Sequence, residues 1–275
     1  MGKTAIVTGG THKDVSAIGV LVLNLKDIMS DSVDELVIFH DGISKKEQHI
    51  IAEIFPSRFY DFKFKIRYKD MRANRSLRYF SPMVFCKYEC FRLLAEYDRV
   101  IWLDYDIVIR KDFSELFESS TGLKMIVDGA TLRQMFLDDA ECIDGHGYDL
   151  NGKAFTTCFF VLTRQIGDHQ KYYEWCRKET LRYAAHIDLP EQCIIAMMVQ
   201  KFHLAYEELT QLLHPNSDDG AAAVLHASGR PKFWEGLHND MWDGYYREWI
   251  SIGGSPYRKT FKEKIIDVKE CCLKH

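Results

Sequence analysis

Proline is scarce in this 275-residue chain, six in all, and no apolar run approaches the roughly 20 residues that a bilayer-spanning helix needs. With 47% hydrophobic residues, so little proline excludes a disordered or fibrous chain and predicts a packed globule. Basic residues are not in excess either: 36 Lys and Arg stand against 40 Asp and Glu, a formal net charge of -4. That balance excludes the strongly basic face by which nucleic-acid binders usually announce themselves, so no nucleic-acid partner is expected. The opening apolar stretch is broken at Gly9, Gly10, Thr11 and His12, too early for a secretory signal core, and a cytoplasmic location is expected. The eight cysteines are scattered, most of them in apolar segments, which predicts reduced and buried thiols rather than a disulfide framework. Cys86 and Cys90 share a helix face but lack a matching Cys/His pair, so no zinc site is expected there. Internal repeats and low-complexity linkers are absent.

What is present is an alternation of strands and helices. Thr4–Thr8 reads as a buried strand followed by a Gly9-Gly10 loop, and Val15–Met29 as a helix with Asp14 placed to cap it. Glu35–Phe39 predicts a second strand, and Ser44 with Glu47 a capping box for a helix ending before Pro56. Phe62–Tyr68 alternates and predicts a third strand, and Pro82–Tyr97 a helix. Arg99–Leu103 is almost wholly apolar, as expected at the centre of a parallel sheet, and runs straight into Asp104-Tyr105-Asp106. Further on, Lys124–Val127 and Ala154–Thr163 predict strands, 168–183 and 190–203 helices, and Ala221–Leu225 a short strand leading to His226. The alternation indicates an α/β fold, in which ligands gather beyond the carboxyl ends of the strands. Gly9-Gly10 and the acidic pair both fall there.

Two carboxylates one residue apart at the end of a core strand repel each other unless a cation or protons compensate. Mg²⁺ or Mn²⁺ suits such a pair and would bridge it to a diphosphate. A haloacid-dehalogenase-like phosphatase using Asp104 and Asp106 fits only loosely, because Asp138 and Asp139 follow too soon for the intervening strands. A nucleotidyltransferase lacks its Gly- and Lys-rich phosphate loop here. Thr8-Gly9-Gly10 lacks the third glycine of a nicotinamide-dependent reductase, Gly19 coming too late in the helix.

Together the segments resemble glycosyltransferase family 8, the group of glycogenin and bacterial lipopolysaccharide galactosyl- and glucosyltransferases. The run DRVIWLDYDIVIRKDFSELF from Asp98 to Phe117 is similar to the family's most recognisable stretch, and LHASGRPKFW from Leu225 to Trp234 to its second signature. The resemblance covers residues 4–235 and implies a single GT-A type nucleotide-sugar transferase domain with a mixed, mostly parallel central sheet flanked by helices. It implies a nucleotide-binding half over about 1–120, a sugar and acceptor half over about 121–235, and a 236–275 extension. It also implies transfer of a hexose from a UDP-sugar to a glycan or lipid-linked acceptor, with retention of anomeric configuration, by a Mn²⁺- or Mg²⁺-dependent enzyme.

The implied metal ligands are Asp104, Asp106 and His226, whose neutral imidazole supplies a third ligand. Gly229 lets the backbone approach a phosphate and Lys232 offers it a positive charge. Lys87 falls where the family often has a basic residue contacting the nucleotide, Asp128 where it has a donor-sugar aspartate, and Thr8, Gly9, Thr11, Asp14 and Tyr105 near the expected nucleobase and ribose. Phe155 to Phe159 falls where the family has Phe-Asn-[Thr/Ala]-Gly; Thr157 fits the third position, while Thr156 and Cys158 replace the Asn and the Gly. Glu191 and Gln192 match the first two residues of its Asp-Gln-Asp segment in type, while Cys193 departs. Glu191, Gln192 and Asp128 are therefore expected to orient and stabilise the sugar, a neutral amide being a poor nucleophile. A nucleotide-sugar-binding protein without turnover is the alternative that these departures favour. The aromatics at 233, 234, 242, 245, 246 and 249 are expected in the core, and the lysine-rich tail after Tyr257 is a candidate for weak peripheral membrane contact.

Overall fold

The computed structural model describes residues 2–137, 140–143, 145–210, 212–217 and 220–258, without the side chains of 128, 212 and 213. β1 (Thr4–Gly10), α1 (Val15–Met29), β2 (Glu35–His40), α2 (Lys45–Ile54) and β3 (Ser57–Asp61) form the first half. Short helices α3 (Tyr68–Ala73) and α4 (Arg75–Phe80) and a 3₁₀ turn over Pro82–Tyr88 lead into α5 (Glu89–Leu93). β4 (Arg99–Leu103), β5 (Ile107–Ile109), β6 (Leu123–Thr131) and β7 (Lys153–Thr163) follow, then α6 (His169–Tyr183) and α7 (Pro190–Lys201). β8 (Glu207–Glu208), β9 (Leu212–Leu213), β10 (Val224–His226) and α8 (Asp240–Ser251) close the described chain.

The main sheet has the order β3-β2-β1-β4-β7-β6-β8. β3, β2, β1 and β4 are mutually parallel, and β7 runs antiparallel between β4 and β6. Alternate side chains therefore build two cores. Ile6, Ile38, Ile101 and Phe159 bury against α1, while Val7, Val37, Trp102 and Phe160 bury against α5, α6 and α7. The expected α/β sandwich is thus present, with its mixed, mostly parallel sheet. A second sheet, β5-β10-β9, closes over the end of β4. No helix among the described residues is long and apolar enough to cross a membrane.

Several boundaries differ from expectation. The third strand is Ser57–Asp61, paired with β2 from Leu36 to His40, and 62–67 form no strand. Phe62 and Phe64 are buried in turn, so the alternation at 62–68 reports burial without a hydrogen-bonded neighbour. Pro82–Tyr97 is not one helix: the tight 3₁₀ winding turns Cys86 toward Gly9 and Lys87 toward Asp104 before α5 begins. β1 continues through Gly9 and Gly10, β6 runs past Asp128, and β10 begins at Val224. Asp14 does not cap α1 with its side chain, which instead accepts from Thr11 N and Thr11 Oγ1, both at 2.8 Å. The Ser44/Glu47 capping box is formed. None of the six described cysteines is in a disulfide, and five of them are buried. The tail beyond 258, with its lysines, lies outside the described residues.

Of the aromatics expected in the core, Phe233, Trp242 and Trp249 are buried, Trp249 fully, while Trp234, Tyr245 and Tyr246 are only half-buried against it. α8 docks across α1, where Trp249 lies so close that a Cβ on Gly19 would meet its Cδ2 at 2.4 Å. Gly19→Ala is therefore expected to destabilise the fold by about 1–3 kcal/mol through overpacking, despite alanine's better helix propensity. Urea unfolding reads this out; an unchanged or raised midpoint would show that α8 is not held against α1.

Candidate active site

Four parallel strands present their carboxyl ends at one edge, and β4 delivers Asp104 there. The Asp104 N–H donates to Cys158 O on β7 at 2.8 Å, anchoring the turn to the sheet. Three residues on, β5 begins and pairs antiparallel with β10, Ile107 opposite His226, and this pairing brings the imidazole beside Asp106. The Ala227 N–H donates to Asp106 O at 3.0 Å and fixes the register. One donor atom from each of Asp104, Asp106 and His226 lies within 4.8 Å of the other two. Residues 122 positions apart along the chain thus become neighbours through one three-residue strand pair.

Each carboxylate has its own cations. Asp104 Oδ1 accepts from Trp102 Nε1 at 2.7 Å and faces Lys87 Nζ at 3.2 Å. Asp106 Oδ1 lies 3.3 Å from His226 Nε2, and its Oδ2 is bound by Lys232 Nζ, which also donates to Ala227 O at 2.7 Å. The ionisation of the site follows. Burial raises the Asp104 carboxyl above the usual range, more than Lys87 offsets, with Asp106 adding like-charge repulsion. Asp106 is buried too, but His226 and Lys232 outweigh that cost and hold it well below the usual carboxylate range. Burial alone would lower His226; Cys158 and Asp106 outweigh it and raise the imidazole to about 10.

Two oxygens and one imidazole nitrogen this close suit a hard or borderline divalent ion such as Mn²⁺ or Mg²⁺. Protonated His226 and Lys232 supply positive charge to Asp106 where such an ion would supply it.

A second buried cluster adjoins the first. Lys87 Nζ donates to Glu191 Oε1 at 2.9 Å and to Thr157 Oγ1 at 3.2 Å, and Thr157 Oγ1 donates to the same Glu191 oxygen at 2.9 Å. The Thr157 N–H donates to Gln192 Oε1 at 3.0 Å. Glu191, Thr157 and Lys87 are all buried, so the carboxylate of Glu191 braces Lys87 beneath Asp104. Gln192 and Thr156 are half-buried at its border. Lys87 pairs two carboxylates, and its ammonium is held above the usual lysine range: burial opposes this, but Asp104 and Glu191 outweigh burial.

At the end of β1, Thr8 is fully buried and Gly9 half-buried. The Asp14 carboxyl, held by Thr11 and Tyr105, is raised by burial. Tyr105 stacks on Trp234 at 5.8 Å, which ties the segment after His226 to the turn between the two aspartates. Gly229 lies in that segment at φ +71°, the left-handed region, with open space around it. Of the expected residues, the fold therefore gathers Asp104, Asp106, His226, Lys232, Lys87, Glu191 and Thr157 directly. Thr11, Asp14 and Tyr105 form an adjoining wall, and the side chain of Asp128 lies outside the described residues. Sequence reasoning missed Trp102, Cys158 and Trp234 as site residues. Trp102 read as core strand, and the β4–β7 pairing that brings Cys158 to the site left no local signal.

Comparison with curated proteins finds no match. Among solved structures, the WbbM bifunctional glycosyltransferase superposes with a TM-score of 0.66 at 14% identity, over 93% of this chain and 50% of that one. This chain thus spans half the length of that relative. Galactosyltransferase LgtC, solved with donor and acceptor sugar analogs, gives 0.62 at 15% identity over 94% of this chain and 99% of that one. GlyE of Streptococcus pneumoniae TIGR4 gives 0.57 at 15% identity, covering 95% and 67%. At these identities the likeness shows the fold, that of the GT-A glycosyltransferases. The sequence adds what the fold alone leaves open: residues 5–237, most of the chain and both signature stretches, match the family model described as Glycosyl transferase family 8, and the chain belongs to that family.

Proposed function

We propose that this family 8 glycosyltransferase moves a hexose from a UDP-sugar to a glycan or lipid-linked acceptor, with retention of anomeric configuration. The observation that carries the reading is the convergence of Asp104, Asp106 and His226 donor atoms within 4.8 Å at the carboxyl edge of the sheet. A divalent cation held by these three, Mn²⁺ or Mg²⁺, supplies charge neutralisation to the diphosphate.

The chain's own residues do the rest. Breaking the bond between the anomeric carbon and the diphosphate leaves negative charge on the leaving oxygens and an oxocarbenium-like sugar. Lys232, released from Asp106, turns its ammonium to that charge, and the open backbone at Gly229 lets a phosphate come close. Thr11, Asp14 and Tyr105 line the side on which the base and ribose rest, with Gly9 near them; Thr8, being buried, supports the floor. Gln192, with Asp128 and Thr156, holds sugar hydroxyls. Glu191 acts through Lys87 and Thr157 to fix Gln192. Retention then needs no protein nucleophile: the acceptor attacks from the leaving-group face and its proton passes to a diphosphate oxygen. One solved LgtC structure is an active-site mutant in which glutamine is replaced by glutamate, which supports assigning Gln192 to the site. The halves at about 1–120 and 121–235 are taken as nucleotide and acceptor sides, and the site works in the cytoplasm.

Thermal-shift measurements test this. UDP with Mn²⁺ is expected to stabilise the chain, by about 2.7 kcal/mol at a hundred times Kd, while ADP or GDP with the same ion does not. Hydrolysis of UDP-glucose or UDP-galactose then separates an enzyme from a binder. The pH dependence is a second arm. With His226 at about 10, a metal taking its nitrogen displaces a proton at neutral pH. Metal affinity is therefore expected to rise about tenfold per pH unit between about 6.5 and 9. In the metal-free chain the sign is opposite. A raised histidine stabilises the fold fully below its unfolded value near 6.5, and that contribution is lost as pH rises toward about 10. Affinity that is flat across this window would remove His226 from the ligand set.

A further inference from the structure

One surface at the site edge has a composition unlike the rest of the chain. Between 62 and 81 stand seven Lys and Arg and a single Asp, in a protein whose formal net charge is -4. All seven are exposed. Lys63 pairs with Asp61 at 2.9 Å and Arg67 with Asp70 at 2.6 Å. Lys65, Lys69, Arg72, Arg75 and Arg78 face no carboxylate partner among the described residues; Arg78 donates only to the carbonyls of Met71 and Arg72. Among these cations the large apolar side chains stand out. Tyr68 is 80% and Tyr79 68% exposed, with Phe80, 39% exposed, packed edge-on against Tyr79 at 4.9 Å. A groove of about 360 Å³ runs between the two helices, lined by Ile66, Tyr68, Met71, Arg72 and Arg78.

The surface is held rigidly. Asn74 Nδ2 donates to Ala184 O at 2.9 Å and Ile187 O at 2.6 Å, while its Oδ1 accepts from the N–H groups of Ser76 and Leu77. It also faces the right way. β3 is parallel to β2, β1 and β4, so the chain leaves Asp61 at the same edge at which β1 ends at Gly10 and β4 at Leu103.

We propose that residues 62–81 dock the enzyme on an anionic phospholipid surface, with Tyr68, Tyr79 and Phe80 entering the headgroup layer and the five unpaired cations held against lipid phosphates. Interfacial aromatics beside Lys and Arg are the combination that a bilayer boundary favours. A polyanionic glycan would also attract the charge, but the groove lining has no Asp, Glu, Asn or Gln to bind sugar hydroxyls. Docking here turns the edge that carries the acid pair toward the membrane. The surface is separate from the lysine-rich tail beyond 258, and the inference stands whatever donor the enzyme uses.

Flotation of the full-length protein with vesicles tests it. Binding is expected to vesicles of 30% phosphatidylglycerol in phosphatidylcholine and not to phosphatidylcholine alone. Each Lys or Arg near such a surface contributes about fivefold in partitioning. Arg72→Gln alone is expected to weaken binding about fivefold, and Arg72→Gln with Arg75→Gln roughly 25-fold. Tyr79→Ser is expected to weaken it while leaving the salt dependence unchanged. These side chains are exposed, and unchanged melting curves of the single variants confirm intact folding. Undiminished binding by the double variant would assign any membrane affinity to the tail and overturn the proposal. So would indifference to phosphatidylglycerol together with retention on dextran sulfate, which would make the surface a glycan site.

Discussion

Replacing Asp106 with Asn is expected to lower metal-dependent turnover of a UDP-sugar by about 10³-fold, the loss typical when a preorganised electrostatic partner of the developing charge is removed. The substitution keeps shape and removes charge. Asp106 is the carboxylate that His226 and Lys232 share, and it is held fully ionised by them. An amide there leaves two cationic groups facing each other across the site and one carboxylate for the ion. Mn²⁺ titration by calorimetry is expected to lose its binding isotherm together with activity, because the three-donor set is then incomplete. Near-normal kcat/KM in this variant, with the fold confirmed by circular dichroism, would remove the acid pair from the chemistry.

The second large effect is on stability. Lys87→Met is expected to cost about 3–5 kcal/mol, because it strands the buried carboxylates of Glu191 and Asp104 without their shared cation. Methionine fills much of the same volume, so the loss reports charge rather than a cavity. The pH dependence distinguishes the two. In the parent, Lys87 has its ionisation raised, so its contribution is full below the unfolded value near 10.4 and is lost only as pH rises beyond it. In the variant Asp104, already raised by burial, loses the offset from Lys87 and rises further, so stability is best retained at acid pH and falls as pH increases. Urea midpoints at pH 5 and pH 8 read this out: the parent keeps the full Lys87 contribution at both, and the variant's deficit is larger at pH 8. A loss under about 1 kcal/mol at both would mean that Lys87 is solvated and the buried cluster does not exist as described.

The acid pair was legible because its chemistry is local. An apolar strand that ends in Asp104-Tyr105-Asp106 needs a compensating charge wherever it lies, and His226, Gly229 and Lys232 have their own short pattern near the other end of the chain. The central strands were legible for a similar reason, since Arg99–Leu103 and Ala154–Thr163 are apolar on both faces and are buried on both. What depended on pairing was not. The alternation from Phe62 onward is real as burial, yet the strand lies five residues earlier, because β2 sets the ladder. Cys158 read as a departure from a glycine, and only the antiparallel insertion of β7 shows that it meets His226. Glu191 read as a residue facing the sugar, and its burial against Lys87 recasts it as a brace. Periodicity reports which side chains are hidden; it does not report which distant backbone hides them.

The order in which the chain leaves the ribosome has a consequence for α1. This helix is apolar nearly all round, with 12 of its 15 residues buried, and the surface around Gly19 is covered by Trp249 of α8. Between the emergence of Met29 and that of Asp240, synthesis at about 5–20 residues per second takes roughly 10–40 s. For that interval a greasy segment waits for its lid, and His226 has not yet joined Asp106. The nascent protein is therefore a natural client for chaperones that hold apolar surface, and translation products cut short before α8 should aggregate rather than persist as soluble fragments.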